Sequence, residues 1–283
     1  MKKVFAIIAV LLLPFTGWSQ AQINTKKVKI SDFTKKTTKI VLTGNMFFDA
    51  SLKDDVQAMW RTTPYEFCTM AEFNTLKGND NYYFLLPTKG QFKNESEPGL
   101  MFLSLLKGGK NAANGIDEML EIVSLPISSA DDPSGRELVF LPAFLHIIQN
   151  YALDSMDKDI NAYTGLANYT MNIVKAADMR LIFAEEDLSS EINEQVRKTW
   201  FNDDVLVLEA DDADEYLTPD TENTLISYVA VPTEAAPGSY CYKMLIDPQT
   251  NKLYYYRKHK ISKKVGAGFL AEDIKRITAS RKR

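Results

Sequence analysis

Residues 192–216, INEQVRKTWFNDDVLVLEADDADEY, decide how this chain is read, because residues 52–73, LKDDVQAMWRTTPYEFCTMAEF, follow the same plan. Each stretch carries apolar residues at helical spacing up to a tryptophan, Trp60 or Trp200. A polar turn follows, and then an apolar run leading into an acidic–aromatic pair, Glu72-Phe73 or Glu215-Tyr216. Two copies of one pattern imply two related units, and the flanking sequence extends the match in both directions.

Working outward, the first unit is expected over residues 39–153. It reads as a strand over 39–47, then a helix over 50–60 with Ser51 as its cap and Asp54 reaching back. Strands follow over 65–70, 82–86 (stopped by Pro87), 100–106 and 119–126, and a helix over 140–153 closes the unit. The second unit, 179–283, replays this order. Its strand over 179–184 precedes a helix capped within 187–190, and further strands lie over 205–208, 225–231, 239–246 and 253–261. Phe269, Leu270, Ile274 and Ile277 mark the closing helix. Pro98-Gly99 and Pro237-Gly238 open corresponding strands. Residues 154–178 have no counterpart in the first copy and read as a helical connector, the natural boundary between units.

The repeat is too long for a solenoid, whose periods run about 20 to 50 residues. The expected fold is α+β: two tandem repeats, each β-α-β-β-β-β-α, with a mainly antiparallel or mixed sheet and helices on one face. Trp60 and Trp200 are expected to anchor the first helix of each unit to its sheet rather than stack on a ligand.

With 45% hydrophobic and 25% charged residues, the chain has enough apolar surface to build a sizeable core. A net charge of −4 offers no basic footprint for nucleic acid. Lys2 and Lys3 precede an apolar run over 4–14 that ends near Ser19-Gln20-Ala21, the pattern of a secretory signal cleaved after Ala21. The run is shorter than the roughly 20 residues that span a bilayer, so no transmembrane segment is expected after cleavage. A polar, lysine-rich lead-in occupies 22–38. The expected location is periplasmic or secreted, where Cys68 and Cys241, each inside an apolar run, read as buried thiols rather than a disulfide.

The second unit resembles exported proteins of unknown function common in Bacteroidetes-type bacteria. The likeness rests on Asp187-Leu188-Ser189 before the helix to Trp200, on Lys252-Leu253-Tyr254-Tyr255-Tyr256 followed by Lys258-His259-Lys260-Ile261, and on Gly268-Phe269-Leu270-Ala271-Glu272-Asp273-Ile274. It extends loosely to the first unit. It implies export and duplication and carries over no functional residue.

Residues that bear chemistry are few. The only histidines are His146 and His259, and with two cysteines scattered one by one they do not form a zinc pattern. No G-x-S-x-G, P-loop or dinucleotide motif is present, and Gly108-Gly109 and Gly266-x-Gly268 read as turns. Asp211, Asp212 and Asp214 offer carboxylates for calcium without the spacing of a dedicated loop. No cofactor is expected. The second unit is acidic over 185–222 and basic over 252–283, ending Arg281-Lys282-Arg283; these blocks either neutralise each other or face a partner. The leading expectation is a noncatalytic binding or envelope-assembly module for an envelope protein, a glycan or an anionic surface. The alternative is an envelope hydrolase between the repeats, with His146 or His259 as base beside a Ser, Thr or Cys.

Overall fold

The computed structural model describes residues 30–92, 95–157 and 165–281. The expected signal peptide, the lead-in up to residue 29, part of the connector and residues 282–283 lie outside the described residues. The first unit runs β1 (Thr37–Leu42), α1 (Met46–Met59), β2 (Tyr65–Thr69), α2 (Met70–Leu76), β3 (Tyr82–Gly90), β4 (Leu100–Lys107), β5 (Leu120–Ser129), α3 (Arg136–Val139) and α4 (Leu141–Asp157). A 3-10 segment, Gly165–Ala176, leads to the second unit. This runs β6 (Arg180–Ala184), α5 (Glu194–Trp200), β7 (Val205–Leu208), α6 (Ala210–Asp214), β8 (Thr224–Ala230), β9 (Tyr240–Asp247), β10 (Lys252–Lys260) and α7 (Ala271–Arg281).

Each unit forms one mixed five-stranded sheet, and the strand orders β2-β1-β3-β4-β5 and β7-β6-β8-β9-β10 are the same topology. The first three strands of each are parallel and the last two antiparallel. The duplication read from the sequence is therefore present in the fold, with one added element per unit. The short helices α2 and α6 carry the chain from the second strand across to the far side of the first. Two crossovers that leave a central strand in opposite directions, each right-handed, place their helices on opposite faces. The core agrees: Leu52 and Val56 of α1 belong to the cluster containing Ile40, Tyr83 and Leu85, while Phe73 of α2 packs with Val41, Phe84 and Leu86. The long helices α1 and α4 share one face, and the short helix covers the other.

The units stack in series. Phe140, just before α4, and Phe144 of α4 meet the Tyr228 ring of β8 at 4.5 and 5.1 Å, so α4 lies between the sheets. One hydrophobic core consequently runs from Leu52 and Trp60 through Phe144 and Ile148 to Ile226, Met244 and Ile246. The outer face of the second sheet carries its own cluster, with Phe183, Leu245 and Tyr255 under Ile274 and Ile277 of α7.

Several local expectations are corrected. Helix α1 starts at Met46, because the Asn45 side chain accepts from the Phe47 and Phe48 amides; Ser51 lies inside the helix and Asp54 has no capping role. Strand β1 ends correspondingly at Leu42. Helix α5 is capped by Asn193, not by residues 187–190, and Asp187 is instead buried. Pro87 does not end β3, which continues to Gly90; beyond Leu85 it has no β1 partner, and an open edge tolerates a residue without an N–H. Glu72 sits in a capping box with Thr69 at the start of α2, rather than at the end of a strand, and Glu215 follows α6. Trp60 is buried and donates from Nε1 to Thr63 Oγ1 at 2.8 Å, which in turn bonds Thr38 of β1. Trp200 is only half-buried, with the Lys275 ammonium 4.9 Å from its ring centre.

Candidate functional site

A cleft of about 790 Å3 opens between the two sheets, lined by β3, β4 and β5 of the first unit and by Tyr242, Tyr256, Arg257 and Lys258 of β9 and β10. Alternation along the strands points Thr88, Ser104 and Ser124, one from each of three neighbouring strands, onto one face of the first sheet. Their hydroxyls form a chain, Thr88 Oγ1 to Ser104 Oγ at 2.7 Å and Ser104 Oγ to Ser124 Oγ at 2.7 Å. Ser104 is buried, and Thr88 and Ser124 are half-buried at the cleft.

Aromatic side chains from both units form the walls. Phe102 stands edge-on to Tyr242 with ring centres 5.9 Å apart, Phe92 lies 4.9 Å from Tyr240, and Tyr242 lies 6.1 Å from Tyr256. The Phe102 ring rests on Gly90, where an added Cβ would lie 2.5 Å from a ring carbon, so a larger residue at this strand position would displace that ring. Burial pushes the Tyr256 phenol far above its ordinary range, with the neighbouring Tyr242 and Glu121 acting in the same direction. The Lys258 ammonium sits over the Tyr240 and Tyr242 rings, at 5.2 and 6.0 Å from their centres.

The residues singled out in the sequence lie elsewhere. His146 is half-buried in α4; burial, then Lys252, holds its pKa below the ordinary value, and its Nε2 has no hydrogen-bond partner among the described residues. His259 faces Cys241 across β9 and β10, but its Nε2 pairs with the Gly266 carbonyl at 2.7 Å. The Cys241 sulfur accepts from the Gly268 amide, and burial pushes its thiol up to about 11, the protonated and unreactive form. Neither histidine lines the cleft. Cys68 and Cys241 are free, buried thiols on different sheets. Asp211 and Asp212 are exposed on α6 while Asp214 turns inward; among the described residues no group of three His, Cys, Asp or Glu is placed to hold a metal ion.

Asp214 turns inward because of Arg136, a residue that sequence reasoning missed. Gly135, at φ +92°, provides the left-handed turn that aims Arg136 from the first unit into the carboxyl end of the second sheet. There its guanidinium donates from Nε and Nη2 to Asp214 at 2.9 and 2.8 Å, and from Nη1 to Asp187 and Glu186 at 3.2 Å. It also lies 5.5 Å from the Phe140 ring centre and 5.4 Å from that of Tyr228. The acidic block thus takes its buried cation from the other unit. The basic block is served within its own unit: Asp273, fully buried, accepts from Lys243, Tyr255 and Arg257, and Glu272 pairs with Arg257 at 2.7 Å.

Among the described residues no helix is long and apolar enough to cross a membrane. No family model, curated protein or solved structure matches this chain.

Proposed function

We propose that the protein is an exported binding module without catalytic machinery, and that its ligand lies in the cleft between the two sheets. The observation that carries this reading is the composition of the cleft: hydroxyls from one unit face aromatic rings and cations from the other, so the site exists only when both units are stacked. Apolar walls with a few convergent polar groups are the general make-up of small-ligand sites. The hydrolase alternative finds less support, since neither His146 nor His259 reaches the cleft or stands within hydrogen-bond distance of a Ser, Thr or Cys among the described residues.

The test is a fragment screen followed by amide chemical shifts of the purified isotope-labelled protein. Compounds that bind are expected to move the amides of Thr88, Ser104, Ser124 and Tyr242. Binding confined to other surfaces, or no binding from a broad set of polar ring compounds, would overturn the assignment.

A further inference from the structure

Resting on the reading of the cleft as a ligand site, we infer that the ligand class is a neutral carbohydrate. Three observations converge on it. The first is the hydroxyl chain. Three hydroxyls carry three protons, and two of these are consumed by the bonds Thr88–Ser104 and Ser104–Ser124, either of which can run in either direction. Ser104 is buried between its neighbours, so the spare proton falls on Thr88 or on Ser124, depending on the direction of the chain. Both ends face the cleft. A chain that donates at one end, accepts at the other and can reverse complements sugar hydroxyls, each of which both donates and accepts.

The second observation is the apolar wall. Phe102 and Tyr256 bring ring carbon to the same cleft as the hydroxyls, and a pyranose offers C–H faces to such rings while its rim of hydroxyls meets polar groups. The bare backbone of Gly90 leaves room for the Phe102 ring.

The third is charge. The lining contains Lys89, Arg257 and Lys258 against Asp117 and Glu121, a near balance. Arg257 is committed to Asp273 and Glu272, and Lys89 lies 3.9 Å from Asp131. A phosphorylated ligand would meet Asp117 and Glu121 with few free cations to offset them. A quaternary ammonium would find the Tyr242 face in the cleft already covered by the Lys258 ammonium. What remains is a polyhydroxylated, uncharged ring compound, and a cleft of about 790 Å3 has room for more than one ring.

Saturation-transfer NMR of the purified protein with cellotriose, chitotriose, mannotriose and trigalacturonate tests this directly. Transfer to the ring protons of at least one neutral trisaccharide is expected, with binding weakened about tenfold by Ser124→Ala, which removes the hydrogen bond that end of the chain makes to the sugar. Ser124 is half-buried and its variant folds with little cost, which guards against reading misfolding as lost binding. Preference for trigalacturonate would overturn the neutral assignment. Absence of transfer from every sugar, while fragments still move the Thr88, Ser104 and Ser124 amides, would overturn the carbohydrate class and leave the binding-module reading standing. If neither sugars nor fragments act at the cleft, both readings fall.

Discussion

The two sheets carry the same switch point, the place where crossovers leave a central strand in opposite directions, and they close it differently. After β1, Asp49 accepts from the Thr43 and Gly44 amides, each at 2.8 Å, and from the Thr43 hydroxyl; Met46 and Phe47 stay exposed beside it. After β6, the corresponding crevice is filled from outside the unit by Arg136, clamped by Asp187 and Asp214 and sandwiched near Phe140 and Tyr228. Open α/β sheets usually take ligands at such crevices. Here the second unit receives a side chain of the first, so duplication has turned a potential ligand crevice into a joint. The first unit closes its own crevice with a residue of its own helix.

The largest expected effect follows. Arg136→Met leaves Asp187 and Asp214 without their cation, and burial already pushes the Asp187 carboxyl up against the pull of that arginine. Losing one partner of a buried ion pair costs about 3–5 kcal/mol. Asp49→Asn keeps an acceptor in a turn internal to one unit and is expected to cost about 1 kcal/mol. Urea unfolding of the two variants measures the difference. Equal losses would mean that the joint is no stronger than a local turn and would end the contrast drawn between the switch points.

The contrast also explains what was legible in the sequence. The strands were, because each is an apolar run bounded by turn residues; Val205–Leu208 falls where the pattern put it. The crossover helices α2 and α6 were not, since seven and five residues hold too little of a 3.6-residue period to register. A local signal for α2 did exist: Thr69 and Glu72 have the spacing of a capping box. Arg136 gave no signal, because its partners stand 50, 51 and 78 residues away. The cleft was equally hidden. Ser104 and Ser124 each look like an ordinary polar position in a strand, Thr88 falls beyond the end expected at Pro87, and only the sheet register sets the three side by side.

A second comparison separates the tryptophans, which the sequence treated as equivalent. Trp60 is 1% exposed and its indole N–H reaches Thr63, whereas Trp200 is half-buried against Lys275. Trp60→Phe removes packing and a buried hydrogen bond and is expected to destabilise by about 2 kcal/mol. Trp200→Phe retains a ring for the lysine to cover and is expected to lose less than about 1 kcal/mol. Thermal or urea unfolding of the pair would sharpen the view that the tryptophan in the core shared by the units is more tightly held than the one on the outer face of the second sheet; a larger loss at Trp200 would reverse it.

The smallest effect concerns the segment before β1. Asp32 accepts from Tyr83 at 2.5 Å and from Lys107 at 2.9 Å, and pairs with Lys36 at 2.8 Å. Burial alone would raise its pKa, but the bonds from Lys36, Tyr83 and Lys107 outweigh burial and hold it at about 2. A carboxylate depressed in the folded state adds stability that is complete above its unfolded pKa of 3.8 and disappears as pH falls through the folded value. The pair is partly solvated, so its worth is about 1 kcal/mol after screening. Asp32→Asn should therefore be less stable than the natural chain by about that amount at pH 6 and indistinguishable from it near pH 2. The tether is ionic if urea midpoints at the two pH values converge in this way. A constant gap would place the contribution of Asp32 in its geometry and not in its charge, and would leave the Arg136 joint as the ionic contact with the larger share in holding this fold.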